Sequence, residues 1–206
     1  MVFVSGAYEI TKVTYQINSE GWSKEFKVCA LHGEMRLDDQ EKVIKQSDRR
    51  KIIVSTNIAE TSLTIEGIQV VIDTGLAKKS AFDPVRGVNI LIPQKISKSS
   101  ADQRAGRAGR TGPGFCIRLW SKNDHDCRDD FEPSAVARLD ISEIYLNLRA
   151  IGEDPKSIPW FEAPPENSLI RARNMMVKSG ALNSVGEITE KGEQIVKFPI
   201  NPRLGM

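Results

Sequence analysis

Lys51-Ile52-Ile53-Val54-Ser55-Thr56-Asn57-Ile58-Ala59-Glu60-Thr61-Ser62-Leu63-Thr64-Ile65 decides the fold. Three consecutive β-branched apolar residues, Ile52 to Val54, have no polar alternation, so both faces of that strand are buried. Hydroxyls and an amide follow at once. Val2-Phe3-Val4, Lys27 to Leu31 and Val70-Val71-Ile72 are runs of the same kind. Between them, Ala7 to Ile17 and Leu37 to Ile44 have helical character, the second opening on Asp38-Asp39, where acidic residues suit the positive helix end. Short apolar runs alternating with helices predict an α/β fold: a parallel sheet with helices on both faces. In such sheets the working residues lie just past the strand ends. That rule selects Ser5-Gly6, His32-Gly33, Ser55-Thr56-Asn57 and Asp73-Thr74-Gly75.

Lys78 to Ile92 breaks the rhythm. Two extended pieces flank Asp83-Pro84-Val85-Arg86-Gly87, which predicts an inserted β-hairpin. Lys98 to Arg110 reads as a helix ending in glycines, and Phe115 to Trp120 as a further strand. From Lys95 to Arg118 there are six basic residues and one acidic; from Trp120 to Glu143 there are three basic and seven acidic. The shift places a boundary near Glu132-Pro133, giving domains 1–132 and 133–206. The second is helical. Ile141, Ile144, Tyr145, Leu148 and Ile151 keep helical spacing. Pro164-Pro165 opens another helix that stops at Gly180, and Thr189 caps a third through Lys197. This tail reads as a small all-α domain cut short.

The chain has 206 residues, 27% charged and 40% hydrophobic, with a formal net charge of +2. That balance excludes a disordered tail and a collagen, and it does not announce a nucleic-acid binder. Cys29, Cys116 and Cys127 are an odd set without a C-x-x-C, which argues against a disulfide frame or a zinc site. No apolar run approaches the length of a membrane helix and no signal-peptide core is present, so a cytoplasmic location without membrane attachment is expected.

Gln103-Arg104-Ala105-Gly106-Arg107-Ala108-Gly109-Arg110 carries arginines three residues apart, separated by small residues. On a helix they would form a slowly turning row. Guanidinium forks fit phosphate oxygens, and such a row suits the charge that develops on a transferring phosphoryl group. A solvated basic face is the competing reading, but it gains nothing from glycine, which costs roughly 1 kcal/mol relative to alanine in a helix. The hydroxyls and amide of 55–64 could hold a phosphate backbone without reading bases. They could equally be an ordinary capped turn.

Together the two segments resemble motifs V (Lys51 to Gly67) and VI (Ala101 to Gly114) of the DEAH/RHA family of superfamily 2 helicases, which are RNA-stimulated ATPases. The resemblance is to their second RecA-like domain, and the spacing and short hairpin look most like bacterial members. From Leu139 onward the chain resembles the start of the family's winged-helix domain, with Phe198-Pro199-Ile200-Asn201-Pro202-Arg203-Leu204-Gly205 at its usual place. The resemblance implies that Gln103, Arg107 and Arg110 face nucleotide phosphates, Arg110 being the arginine-finger candidate and Arg104 a structural ion-pairing residue. Thr56, Asn57 and Thr61 would contact the RNA backbone. Ser62 would sense the γ-phosphate, and Thr64 and Glu66 would approach the ribose. Lys78, Lys79 and Arg86 would serve a hairpin near the RNA 5′ side. Relatives stack a Phe on adenine where this chain has Ile44, so base preference should be weak.

The sequence has no G-x-x-x-x-G-K-[ST] and no Asp-Glu-Ala-His. The implied ATP, with its magnesium, would need a first RecA-like domain that this chain does not contain, and the chain alone should not turn ATP over. No metal site of its own is expected; the carboxylates around His125 read as a solvated acidic loop. The expected partners are single-stranded RNA, with DNA left open, and that first domain. A stand-alone RNA-binding or regulatory module is the alternative. A start within a strand and a stop within a winged helix suggest a fragment.

Overall fold

The computed structural model describes residues 1–61, 63–198 and 201–203. Strands β1 (Val2–Phe3), β2 (Lys27–Leu31), β3 (Lys51–Ser55) and β4 (Val70–Asp73) alternate with helices α1 (Ala7–Ser19), α2 (Leu37–Ile44) and the single-turn α3 (Ile58–Thr61). The hairpin β5 (Leu76–Asp83) and β6 (Val88–Lys95) follows, then α4 (Lys98–Ala105), β7 (Phe115–Arg118), α5 (Lys122–Asp126), α6 (Ala135–Arg138), α7 (Ser142–Ala150), α8 (Glu166–Lys178) and α9 (Glu190–Val196). The chain divides into two units: Met1–Lys79 with Ile92–Glu132, and Ser80–Leu91 with Pro133–Met206. Among the described residues, no helix is long and apolar enough to cross a membrane.

In the first unit the five-stranded sheet has the order β2-β3-β1-β4-β7, and every neighbouring pair is parallel. This is the RecA-like arrangement with flanking helices, a hairpin insertion and a C-terminal helical segment. The register puts Leu31, Ser55, Phe3, Asp73 and Arg118 in one row across the sheet. All strands therefore end on one edge, and the segments leaving it are neighbours there. β2 and β3 lie on one side of β1, with β4 and β7 on the other, so strand order reverses at β1, where such sheets place their ligands.

Alternation through the pleat explains the double-sided burial. Phe3, Leu31, Ile53 and Val71 point to one face and pack with Val43, Ala59, Ile65 and Ala108. Val4 and Val54 point to the other and pack with Ile10, Val13 and Ile17 of α1. Each fully buried side chain of this size stabilises the fold by roughly 1.5–3 kcal/mol. The second unit has its own core of Ile141, Tyr145, Leu146, Leu169, Ala172, Met176, Leu182 and Ile195. There, Thr189 Oγ1 accepts the Gly192 N–H at 3.1 Å and caps α9, as the sequence suggests.

The helix expected over 98–110 is shorter. It stops at Ala105, and the chain continues in tight i→i−3 turns: Arg107 N–H to Arg104 O at 3.1 Å, Ala108 to Ala105 at 3.0 Å, Gly109 to Gly106 at 3.3 Å. Gly106 and Gly109 weaken the helix where Pro113 already prevents a long continuation. The arginines consequently do not form one row on a helix face. The carboxylates near His125 are also not simply a solvated loop. Asp124 pairs with Lys95 and with Arg128, and Asp130 with Lys98 at 2.8 Å.

Candidate functional site

The three arginines of 103–110 go to three different places. Arg104 is fully buried. Its Nε donates to Glu60 Oε2 at 2.8 Å and its Nη1 to Asp73 Oδ1 at 2.9 Å, while the guanidinium lies 4.8 Å from the Phe3 ring centre. Ser100 Oγ donates to the other oxygen of Glu60 at 2.7 Å. A guanidinium held by two carboxylates and an aromatic face ties α4 to α3 and to the end of β4. The ion-pairing role that the resemblance gives Arg104 is what the geometry shows, whereas Glu60 and Asp73 as its partners carry no signal in the sequence. Glu60 reads as one more polar residue after a strand, and Asp73 only as a strand end.

Arg107 is 5% exposed. Its Nη1 donates to the Leu63 carbonyl at 2.7 Å and its Nη2 to the Glu60 carbonyl. Burial, then the nearby charge of Arg110, lowers the basicity of this guanidinium, and Glu60 opposes the shift. Arg107 therefore grips the backbone at both Glu60 and Leu63.

Arg110 is exposed, and its Nη1 donates to Thr64 Oγ1 at 3.0 Å. Thr64 lines a cavity of about 670 Å³ together with Ile44, Ile65, Glu66 and Thr111. Ile44 is half-buried against the core, while Thr64 and Glu66 are exposed. Lys45, Arg49, Arg50 and Lys51 also line it, so its wall is strongly basic. Three residues marked out for a nucleotide, Ile44, Thr64 and Glu66, thus share one cavity, with Arg110 bonded to its rim. Gln103 is exposed on α4. Ser62 lies outside the described residues, as do parts of the 198–205 stretch. The basic residues at 45–51 escape sequence reading because they look like a solvated loop.

Gly114 explains the glycine-rich end of this segment. A Cβ there would overlap the Ala108 carbonyl oxygen and lie 2.7 Å from its carbon, so only glycine admits that approach.

Asn57 and Thr61 are exposed and Thr56 is half-buried, all just past the end of β3. Ser55 is fully buried, and its Oγ donates to the Leu31 carbonyl at 3.1 Å, fixing the start of the turn. Because α3 is one turn long, any contact here belongs to these side chains rather than to a helix end.

Lys78 is exposed and lies over Gly6, whose added Cβ would meet its Cε at 2.7 Å. Lys79 is committed internally: its ammonium bonds Glu132 Oε2 at 2.5 Å and the Lys95 carbonyl at 2.7 Å. Arg86 is exposed, 3.6 Å from Asp83 at the hairpin tip. Asp83 Oδ1 accepts the N–H groups of Val85 and Arg86 and so closes that turn.

Comparison with known proteins places the chain in a family. The family description "Helicase conserved C-terminal domain" matches residues 1–112. The chain is 37% identical over 213 residues to "Probable ATP-dependent RNA helicase DHX34" of Homo sapiens, covering 100% of this chain and 18% of that protein. It is 37% identical over 205 residues to "ATP-dependent RNA helicase HrpA" of Borreliella burgdorferi, covering 98% of this chain and 25% of that protein. The crystal structure of the Escherichia coli DEAH/RHA helicase HrpB superposes with a TM-score of 0.89 at 35% identity, over 99% of this chain and 26% of that one. The chain thus spans between 18% and 25% of the length of these two curated relatives.

Proposed function

This chain belongs to the helicase conserved C-terminal domain family and is homologous to DEAH/RHA helicases, and from that premise we propose that it is the C-terminal motor half of an ATP-dependent RNA helicase. The observation that carries the reading is the bond from Arg110 to Thr64, which sets a guanidinium fork beside a residue that lines the cavity shared by Ile44 and Glu66. Ile44 offers an apolar wall to a base without a stacking ring. Thr64 and Glu66 offer a hydroxyl and a carboxylate to a ribose. These residues fit a nucleotide, whose triphosphate and magnesium would be held by a P-loop domain.

Arg110 has the reach and the freedom to meet charge on a phosphoryl group. In this structure Arg107 supports the backbone at Glu60 and Leu63; meeting a phosphate would require it to give up both carbonyls. Gln103, exposed on α4, is free to orient toward the same ligand. Thr56, Asn57 and Thr61 would hold the sugar–phosphate chain of single-stranded RNA, with Lys78 adding charge near the hairpin base. Contacts of this kind grip RNA without reading sequence. Since Arg104, Glu60 and Asp73 bind the RNA-facing turn to the arginine-bearing segment, closure on a nucleotide would move both as one piece.

An ATPase assay with and without RNA tests this. The chain alone should give no turnover, and the chain joined to a first motor domain bearing G-x-x-x-x-G-K-[ST] should give RNA-stimulated turnover. Equal activity in both, or RNA-independent turnover by the joined protein, would refute it.

A further inference from the structure

The sheet of the first unit is covered unequally. On the side of Val71 and Cys116, β4 and β7 pack on Ala108 and the rest of the main core. On the other side, α1 covers Val2, Val4, Ile52 and Val54 through Ile10, Val13 and Ile17. The register carries that second side on past α1: Val2 is level with Ile72, Ile72 with Ile117, and Val70 with Phe115. Leu119 follows by alternation, its N–H donating to the Asp73 carbonyl at 2.9 Å. Phe115 is 75% exposed, Leu119 59%, Ile117 51% and Val70 39%, and Ile72 is half-buried. β7 is the edge strand of the sheet.

Strands of an all-parallel sheet are ordinarily buried on both faces. Apolar side chains exposed side by side mark a contact surface, unlike single scattered ones. Two strands span about 10 Å and five residues about 16 Å, a footprint of about 160 Å². That falls far short of the roughly 800 Å² per partner of a stable interface, which argues against a second copy of the chain. An added strand would pair with the edge of β7 and leave Val70 and Ile72 bare. One α-helix, about 10 Å across, fits the width, and about eleven helical residues fit the length. A helix that short is marginal by itself in water. It therefore has to arrive tethered, at the millimolar effective concentration that a short linker gives.

We infer that this face receives an amphipathic helix of about three turns, carried by the same polypeptide, which lies beside α1 and sets an aliphatic stripe on Val70, Ile72, Phe115, Ile117 and Leu119. That helix completes the layer that α1 begins. The inference rests on the reading of the chain as one half of a longer motor only for the source of the helix; the surface itself involves neither nucleotide nor RNA.

The test uses the full chain with a helix fused ahead of Met1. The Met1 nitrogen donates to the Val70 carbonyl at 2.6 Å, so a linker attached there begins at the edge of the face. Two fusions are compared, each with a Gly/Ser linker of about eight residues and a helix of about eleven. One helix carries leucines along one face, and the other has serines in their place. The leucine-faced helix should raise the urea unfolding midpoint above that of the serine-faced one. Phe115→Ser or Ile117→Ser should each abolish the rise. Every variant is referred to its own unfused form, so any cost to folding cancels. Equal midpoints in the two fusions, or a rise that survives Ile117→Ser, would overturn the inference. So would an unfused chain that sediments as a dimer and becomes monomeric on Ile117→Ser, which would assign the face to a second copy. Failure of the motor reading would show in the turnover assay and not in these midpoints.

Discussion

Arg110 Nη1 donates to the hydroxyl of Thr64 across 3.0 Å, joining the last arginine of one segment to the rim of the cavity formed by another. The two residues are 46 positions apart. What brings them together is the set of bonds just upstream, Arg104 to Glu60 and Arg107 to the Glu60 and Leu63 carbonyls. The segment carrying Glu60 and Leu63 is thus clamped twice to the arginine-bearing one before the third arginine reaches solvent. The first two guanidinium groups tie the two segments together, and the third is exposed beside Thr64.

Arg104→Ala should destabilise the first unit strongly. It would leave Asp73, fully buried, and Glu60, with 14% of its side chain exposed, without their cation. Breaking a buried pair from one side costs about 3–5 kcal/mol. Urea unfolding followed by circular dichroism would measure it, and an unchanged midpoint would contradict the clamp.

Gly114→Ala should also destabilise, because its Cβ would strike backbone, overlapping Ala108 O and lying 2.7 Å from Ala108 C. Overpacking of this kind costs typically about 1–3 kcal/mol. Gly109→Ala and Gly112→Ala meet no atom within 4 Å and should be nearly neutral. The same unfolding measurement separates them, and equal effects at all three positions would show that the close approach is unimportant.

Glu132 gives a pH-dependent contribution. Burial pushes its carboxyl up, but the Lys79 ammonium and the Ser97 N–H outweigh burial and hold it below the ordinary value of 4.5. The folded chain then binds this proton less readily than the unfolded chain. The contribution is complete above the ordinary value and is lost as pH falls through the folded one. Stability of the wild type minus that of Glu132→Gln should be positive near neutrality and shrink below about pH 4.5. A difference that grows on acidification would reverse the sign assigned here.

The sheet is legible in the sequence because Ile52-Ile53-Val54 and its counterparts are apolar without alternation, a pattern that only doubly buried strands need. The hairpin is legible from Asp83 to Gly87, where turn chemistry is local. The end of α4 is not: spacing by threes looks helical, and the glycines that break it compete with that signal. The partners of Arg104 stay hidden because Asp73 is placed by the sheet register and Glu60 by the turn after β3, neither of which sequence proximity encodes. Lys79 reads as an exposed hairpin cation, yet Glu132, 53 positions away, takes up its charge. The basic wall at Lys45, Arg49, Arg50 and Lys51 becomes a feature only when folding curves it around Ile44 and Thr64.

The most direct measurement concerns Arg110 itself. In the chain joined to a P-loop first domain, Arg110→Ala should lower RNA-stimulated ATP turnover by about 10³ to 10⁵, the worth of an arginine finger, and leave RNA affinity largely intact. A loss of less than about tenfold would contradict the role assigned to Arg110 and, with it, the account of the cavity it borders.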